Sequence, residues 1–153
     1  MPSVLFVCLG NICRSPMCEA VFAHMVREKG LAEQFPRIDS AGTAAYHIGS
    51  TPDERSVETC LANGVPVKHT ARQVSKADFD EFDYIFCMDR ENLANLKRIQ
   101  PKSSKAVVRM FGEYDPQKQL IIKDPYYGGM EGFQVNFEQA KRCSIAFLQE
   151  LGY

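Results

Sequence analysis

The sequence lacks tryptophan and has almost no net charge, because 18 Lys and Arg residues stand against 19 Asp and Glu residues. Nucleic acids and anionic membranes are bound through clustered positive charge, so this balance argues against both as partners. No stretch approaches the roughly 20 apolar residues that span a bilayer. The apolar run at residues 4–8 is too short for the core of a signal peptide. We therefore expect a soluble, cytoplasmic protein that holds any anionic ligand through local donors.

The cysteines do not indicate a disulfide framework, although the chain contains 6 of them. Such frameworks are typical of short secreted chains that bury too little apolar surface. A chain of 153 residues can bury about two-thirds of its unfolded surface without a disulfide or a metal. The sequence therefore predicts one domain over residues 1–153 with mostly reduced cysteines.

Apolar runs rich in β-branched and aromatic residues alternate with stretches of helical period. This alternation is typical of a parallel sheet covered by helices on both faces. The run from Val4 to Cys8 is continuously apolar, as expected of a strand buried on both sides. Residues 112–132 have little periodicity, which indicates a functional loop. The predicted strands are 4–8, 37–42, 84–88 and 106–110, and the predicted helices are 15–29, 53–63, 90–99 and one reaching from Phe133 to Leu151.

The most informative segment is VCLGNICRSP at residues 7–16, between the first strand and the first helix. Gly10 and Asn11 tolerate left-handed backbone angles, so this loop can turn successive N–H groups inward to bind an oxyanion. Ser15 suits the N-cap of the following helix and Pro16 suits its first position. The positive end of the helix dipole then faces the loop.

A thiol and a guanidinium complete this loop. The helix end, the inward amides and the Ser15 hydroxyl would stabilise Cys8 as a thiolate, which is the nucleophilic form. Arg14 can offer two parallel donors to two oxygens of a tetrahedral anion. The plainer alternative makes Cys8 the end of a buried strand and Arg14 a surface charge, but it does not explain the Gly, Asn, Ser and Pro that accompany them between the strand and the helix. The pattern Cys-x5-Arg-Ser thus predicts a phosphate cradle with a nucleophile at its floor.

With these motifs the chain resembles the low molecular weight protein tyrosine phosphatases. The resemblance implies a single flavodoxin-like α/β domain of three layers, with a four-stranded parallel sheet and helices on both faces. It also implies hydrolysis of phosphotyrosine through a phosphocysteine intermediate, without a cofactor or a metal. The matching segments are VLFVCLGNICRSPMCEAVF at 4–22, RIDSAGT at 37–43, HTARQV at 69–74, FDYIFCMD at 82–89 and YDPQKQLIIKDPYYGG at 114–129.

The resemblance assigns roles to individual residues. It makes Cys8 the nucleophile, Arg14 the group that grips the phosphoryl oxygens, and Asp124 the general acid that protonates the departing phenolate. The phosphate-binding loop covers residues 8–15, and its remaining contributors are Leu9, Gly10, Asn11, Ile12, Cys13 and Ser15. The general-acid loop covers about residues 112–132. A supporting hydrogen-bond network comprises Asn11, Ser15, Ser40 and His69, with Glu19 and Asp39 as the acidic partners that keep this histidine protonated.

The resemblance also implies a deep slot that admits an aryl phosphate and leaves phosphoserine too short to reach the floor. The implied substrates are phosphotyrosine proteins or other aryl phosphates, and phosphate-like oxyanions should inhibit. A mostly monomeric protein with weak self-association through exposed tyrosines is expected. The implied walls of the slot are Leu9, Ile12, Tyr46, Tyr126 and Tyr127.

Cys13 matches the second cysteine of the family's active-site loop. If both thiols face inward, a sulfenic acid on Cys8 would be trapped as a reducible Cys8–Cys13 disulfide, which would be a reversible off switch. The remaining cysteines are expected to be packing residues: Cys18, Cys60, Cys87 and Cys143.

Three other functions are compatible with part of the pattern. Thioredoxin-coupled arsenate reductases share the loop pattern but need two closely spaced cysteines after the third strand, where only Cys87 is present. A zinc module built on Cys8, Cys13 and Cys18 lacks a fourth ligand and the usual spacing. A non-catalytic phosphotyrosine-binding domain would not need the nucleophile, the arginine and the candidate acid together.

Overall fold

The computed structural model describes residues 1–153 and contains one four-stranded parallel sheet. Its strands are β1 (Val4–Cys8), β2 (Ile38–Gly42), β3 (Tyr84–Cys87) and β4 (Val107–Met110). They lie in the order β2-β1-β3-β4, so the chain leaves β1 toward one edge and later fills the other edge. In parallel α/β sheets, ligands bind at the carboxyl ends of the strands where the order reverses. Cys8 ends β1 at this position.

Helices cover both faces of the sheet. The helices are α1 (Arg14–Glu28), α2 (Glu54–Ala62), α3 (Asp78–Glu81), α4 (Arg90–Ile99) and α5 (Met130–Glu150). α1, α2 and α5 pack on one face, while α3 and α4 pack on the other. None of the five helices combines the length and the apolar character that a bilayer crossing requires. The three-layer α/β architecture expected from the sequence is therefore confirmed.

The core on the α1 and α5 face is the larger one, with 23 buried hydrophobic residues against 11 on the opposite face. Successive residues of β1 alternate between the two cores, which explains its continuously apolar sequence. On the larger side the ring centroids of Phe6 and Phe111 are 5.0 Å apart, and those of Phe86 and Phe147 are 4.9 Å apart. The ring of Phe22 in α1 also lies 5.7 Å from that of Phe6 in β1, so aromatic packing holds the two elements together and fixes both ends of the loop between them.

The structure departs from the predicted boundaries in three places. α1 begins at Arg14, so Pro16 lies in its first turn and is not its first residue. Residues 111–114 form a 3-10 turn and α5 already begins at Met130, so the predicted loop 112–132 is shorter than expected. The helix α3 was not predicted, because its four residues are too few to show a helical period. The predicted stop after α2 is confirmed, since Gly64 has a φ of 78°.

Candidate active site

The phosphate loop connects the carboxyl end of β1 to the amino end of α1. Cys8 is 3% exposed at its floor, and the backbone N–H of Asn11 donates to Cys8 Sγ at 3.3 Å. Asn11 has a φ of 59°, in the left-handed region that few non-glycine residues adopt. This conformation curls the loop around Cys8, as the sequence predicted for Asn11, whereas Gly10 does not adopt a positive φ.

Ser15 does not cap α1 as predicted. The helix begins one residue earlier, its N-cap is Cys13, and no side chain caps it. The fully buried hydroxyl of Ser15 faces the loop instead, with Oγ at 3.1 Å from Cys8 Sγ. A cap residue turns its oxygen toward its own helix, whereas Ser15 turns it toward the nucleophile. Ser15 therefore belongs to the chemistry of the loop and not to the start of the helix.

The side chain of Asn11 sets the direction of the hydrogen bonds around Cys8. Its Nδ2 donates to Ser15 Oγ at 2.8 Å and to Ser40 Oγ at 3.0 Å. Because both hydroxyl oxygens accept from this amide, their own hydrogens are free for other partners. Ser40 donates to Glu19 Oε1 at 2.6 Å. The Ser15 hydroxyl has two acceptors within reach, the sulfur of Cys8 at 3.1 Å and the carbonyl of Ala41 at 3.4 Å, and a thiolate at Cys8 is the nearer and the charged one. A hydroxyl hydrogen aimed at sulfur stabilises a thiolate.

His69 supports Asn11 from behind. Asn11 Oδ1 accepts from the backbone N–H of Arg72 at 3.0 Å and lies 2.7 Å from His69 Nε2. Since this oxygen can only accept, Nε2 carries a hydrogen. The other ring nitrogen, Nδ1, lies 3.2 Å from Glu19 Oε1 and 3.6 Å from Asp39 Oδ1.

The protonation expected for His69 needs a correction. Burial lowers the pKa of His69, although the charge of Asp39 opposes this effect. Burial also raises the pKa of Glu19 to about 7, against the hydrogen bond from Ser40. Burial thus favours the neutral forms of both groups, and the 3.2 Å separation of Nδ1 and Oε1 allows the two to share one proton. The acidic partners therefore do not by themselves hold the ring protonated.

The same three side chains form the one cluster whose atoms could ligate a metal ion. The candidate ligand atoms of Glu19, Asp39 and His69 lie within 4.8 Å of one another. Each of these side chains is already bound in the protein, to Ser40, Arg72 and Asn11 respectively. Their arrangement fits a hydrogen-bond network that supports the phosphate loop.

The guanidinium of Arg14 is buried and anchored on one side. NH1 donates to Asp89 Oδ2 at 2.7 Å and to the carbonyl of Ile122 at 3.0 Å. Burial disfavours its charge, but the nearby Cys8 and Asp89 outweigh burial and raise the pKa of Arg14. The anchored side leaves other N–H groups of this permanently charged group available to the loop.

Asp124 lies above the phosphate loop on the segment that precedes α5. Its Oδ2 is 3.7 Å from NH2 of Arg14, and its Oδ1 accepts from the backbone N–H of Tyr126 at 3.0 Å. The Asp124 side chain is 44% exposed. A carboxyl group at the mouth of the site can reach both a leaving group and a water molecule.

A cavity of about 290 Å³ joins these groups. It contains Cys8, Arg14 and Asp124, and all five residues predicted as slot walls line it. His47 is a further lining residue that the sequence did not single out. A larger open groove of about 930 Å³ lies between residues 117–123 and α5, but no cysteine or histidine lines it.

The remaining cysteines are buried and free. Burial raises the pKa of Cys60, Cys87 and Cys143 to about 12, so these thiols stay protonated and pack in the core. Cys18 lies in the core with its Sγ 3.7 Å from the Met88 sulfur. The structure therefore does not join Cys8, Cys13 and Cys18 into a zinc site.

Sequence reasoning missed several residues that position the site. Asp89 caps α4 and anchors Arg14, and Arg72 donates to Asn11 and pairs with Asp39. Asp89 carried a usable signal, because an aspartate directly before a helix is a common cap. Arg72 carried none, since a single arginine in an irregular segment has many uses.

The fold and the site define a class of α/β protein that places a buried thiol beneath an oxyanion-binding loop at the start of a helix. Comparison with known proteins gives the family. The family model described as low molecular weight phosphotyrosine protein phosphatase matches residues 3–153, and the chain belongs to this family. It is thus a protein tyrosine phosphatase, which hydrolyses phosphotyrosine through a phosphocysteine intermediate.

Individual relatives agree along the whole chain. The human low molecular weight phosphotyrosine protein phosphatase is 51% identical over 150 residues, covering 97% of this chain and 94% of the relative. The enzyme of the same name from Gallus gallus is 54% identical over 151 residues, with the same coverage. A crystal structure of a protein tyrosine phosphatase from Entamoeba histolytica aligns with a TM-score of 0.95 and 35% identity, covering 99% of this chain and 97% of the other.

Proposed function

We propose that Cys8, Arg14 and Asp124 carry out the two chemical steps of phosphotyrosine hydrolysis in this chain. The observation that carries this proposal is their convergence on one cavity, with the thiol at the floor and the carboxyl at the mouth. We assign the whole chain, residues 1–153, to one phosphatase domain. Its phosphate-binding loop is residues 8–15, and its general acid lies in the segment before α5.

In the first step Cys8 Sγ attacks the phosphorus, so an S–P bond forms while the P–O bond to the phenol breaks. Asp124 gives its proton to the departing oxygen. Arg14 and the loop amides hold the phosphoryl oxygens through donors that are fixed before the reaction. The buried anchors of Arg14 reduce the reorganisation needed when charge moves onto these oxygens.

In the second step a water molecule attacks the phosphorus and gives its proton to Asp124. The S–P bond breaks, and the electron pair returns to the sulfur of Cys8. The Ser15 hydrogen stabilises the thiolate that leaves. Asn11 supports this role, because its amide keeps the Ser15 hydrogen directed at the sulfur. Inorganic phosphate is released, and the acid and the nucleophile are both restored.

The substrate slot supports aryl phosphates as substrates, because Cys8 lies at its floor and tyrosine rings stand at its rim. Tyr46 is 74% exposed and Tyr127 is 94% exposed, so both can contact a bound peptide. The same exposed rings favour weak self-association of a mainly monomeric protein. Tetrahedral oxyanions such as inorganic phosphate are expected to compete for the loop. A cytoplasmic location remains a prediction.

The direct test is hydrolysis of para-nitrophenyl phosphate by the wild-type protein and by Cys8→Ser. We expect the substitution to lower turnover by at least about 10⁴-fold, because the intermediate cannot form. A rapid acid quench should trap a phosphorylated Cys8 in the wild type. Cys60→Ala removes a thiol outside the cavity and serves as the control. Retained turnover in Cys8→Ser would contradict the assignment.

A redox switch at the same loop is a second part of the proposal. Burial and the charge of Asp53 raise the pKa of Cys13, so it rests as a thiol. Peroxide would oxidise the Cys8 thiolate to a sulfenic acid with release of water. Attack by Cys13 sulfur would then form the disulfide and release a second water. We expect thiol reductant to restore the wild type and to restore Cys13→Ser poorly, whereas equal recovery would contradict the switch.

A further inference from the structure

Arg55, the second residue of α2, lies between two loops of the site. NH2 donates to the Tyr126 carbonyl at 2.9 Å, and NH1 donates to the Gly128 carbonyl at 3.2 Å. Its guanidinium carbon lies 4.7 Å from the ring centroid of Phe133 and 5.6 Å from that of Tyr126. One planar group thus binds the segment that carries Asp124 through two carbonyls and the ring of Tyr126, and it also packs on the ring of Phe133 in α5.

The other side of Arg55 is fixed by Asp53, the N-cap of α2. Nε donates to Asp53 Oδ1 at 3.1 Å and NH2 donates to Oδ2 at 2.9 Å. This is the two-point pairing that a guanidinium makes with a carboxylate. The guanidinium is therefore held in one orientation, and a lysine could not reproduce it.

The start of α2 is in turn attached to the phosphate loop. The backbone N–H of Asp53 donates to the carbonyl of Ile12 at 2.8 Å, and Ser56 Oγ donates to the carbonyl of Cys13 at 3.1 Å. The two carbonyls belong to neighbouring residues of the loop that surrounds Cys8. Arg55 therefore connects the segment of the general acid to an element that is bound to the nucleophile loop.

The general-acid segment has few other attachments. Within residues 124–128, the two bonds from Arg55 are the only hydrogen bonds to another part of the chain. The remaining polar contact is the ion pair at 3.7 Å between Asp124 and Arg14, and a bound phosphate would compete for that guanidinium. On the amino side of Asp124 the chain is fixed at the buried Ile122, whose N–H donates to the Met88 carbonyl at 2.9 Å. Arg55 is therefore the hydrogen-bonded attachment on the carboxyl side of Asp124.

We propose that Arg55 is the positioning residue of the general-acid segment and holds Asp124 at the mouth of the site. The inference rests on the proposed role of Asp124 as general acid. Arg55 itself does not line the cavity, so it acts on the leaving group through Asp124. Its loss should slow the protonation of the leaving group and leave the binding of phosphate by the loop intact.

The test compares Arg55→Met with the wild type on phenyl phosphate, which has a poor leaving group, and on para-nitrophenyl phosphate. We expect kcat on phenyl phosphate to fall about tenfold and kcat on para-nitrophenyl phosphate to fall less, because a displaced acid matters most for the poorer leaving group. The inhibition constant of inorganic phosphate should change less than about twofold, since the loop is unchanged. Arg55→Lys should recover only part of the loss.

Arg109→Met is the matched control, because Arg109 also lies over a ring, Tyr114 at 5.8 Å, and donates from NH1 to the Tyr114 hydroxyl at 3.1 Å, outside the cavity. It should keep both kcat values. Adding Arg55→Met to Asp124→Ala should cost less than about twofold, since the two act through one proton. The proposal would be overturned if the losses in kcat of Arg55→Met and Asp124→Ala multiplied in the double variant. Weaker binding of phosphate in both Arg55 variants would overturn it too. If Asp124→Ala itself does not change the dependence on leaving group, the acid assignment fails instead.

Discussion

The two loops of the active site are built in opposite ways. The phosphate loop is buried, with Cys8 and Arg14 each 3% exposed and Asn11 and Ser15 fully buried. The segment of the general acid is open, with the Asp124 side chain 44% exposed and Tyr127 94% exposed. Hydrogen bonds fix the side chains of Asn11, Arg14 and Ser15 in the first loop, whereas residues 124–128 of the second are bonded to the rest of the chain through Arg55.

This difference separates two tasks. A loop that stabilises charge must have its donors in place before the reaction, and burial makes those donors more effective. A group that delivers and collects protons must meet leaving groups and water of different shapes, so it lies at an open mouth. We therefore expect substitutions in the buried loop to affect all substrates alike, and substitutions in the open segment to affect them unequally.

Among the substitutions that keep the nucleophile, Arg14→Lys should have the largest effect. The ammonium keeps the positive charge but cannot bind Asp89 and two phosphoryl oxygens in one plane. We expect a fall in kcat of about 10³-fold, similar for aryl phosphates with good and poor leaving groups. The comparison is made by steady-state kinetics on both substrates. A loss confined to the poor leaving group would show that the buried loop does not act uniformly.

Asp124→Ala should have the next largest effect, and an unequal one. We expect a fall of about 10²-fold in kcat on phenyl phosphate and a clearly smaller fall on para-nitrophenyl phosphate, because the better leaving group needs a proton less. The thermal unfolding temperature should stay nearly constant, since the removed side chain is exposed. Equal losses on both substrates would point to another residue as the acid.

The buried phosphate loop and the open general-acid segment also differ in how well the sequence predicts them. The loop from Cys8 to Ser15 is contiguous, so residue types and spacing alone indicated an oxyanion cradle with a thiol. Asp124 is far away in sequence and an aspartate in a loop has no pattern of its own, so its role required the resemblance to a family. The fold was predictable because burial on both faces leaves continuous apolar strands.

Some residues of the site could not be identified from the sequence, because their contacts are with segments that only the fold brings close. Arg55 and Arg72 are ordinary arginines until the fold brings them to carbonyl and carboxylate oxygens of distant segments. Ser15 matched the pattern of a helix cap, but burial next to Cys8 gives its hydroxyl a different partner. The proton on His69 depends on desolvation, which a sequence does not display.

Substitutions of Asn11 separate backbone strain from hydrogen bonding in the buried loop. Asn11→Ala should lower the free energy of unfolding by about 2–4 kcal/mol, because alanine tolerates the left-handed φ less well than asparagine and leaves buried hydroxyls unpaired. Asn11→Gly relieves the strain and should cost about 1–2 kcal/mol. Both should lose about tenfold in kcat, since the Ser15 hydrogen is no longer directed at Cys8. Full activity in the glycine variant would show that the backbone alone positions the loop.

Glu19→Gln should have the smallest effect on activity, within about threefold, because a glutamine oxygen can still accept from Ser40 and so keep the hydrogen bonds to Ser15 in place. Its larger effect is on the pH dependence of stability. The pKa of Glu19 rises from 4.5 to about 7 on folding, so the folded state binds a proton that the unfolded state has lost, and stability falls as the pH rises through this window.

The lowered pKa of His69 acts in the opposite direction just below pH 6.5, where the unfolded state binds more protons and stability rises with pH. Glu19→Gln removes the contribution of Glu19 and keeps that of His69. The decline in the free energy of unfolding between about pH 5 and 7 should therefore shrink by about 1–3 kcal/mol. Denaturant titrations across this range measure it. Glu28→Gln, at an exposed glutamate 3.3 Å from His24, is the control and should leave the decline unchanged. An unchanged decline in Glu19→Gln would mean that Glu19 stays ionised and the shared proton resides on His69.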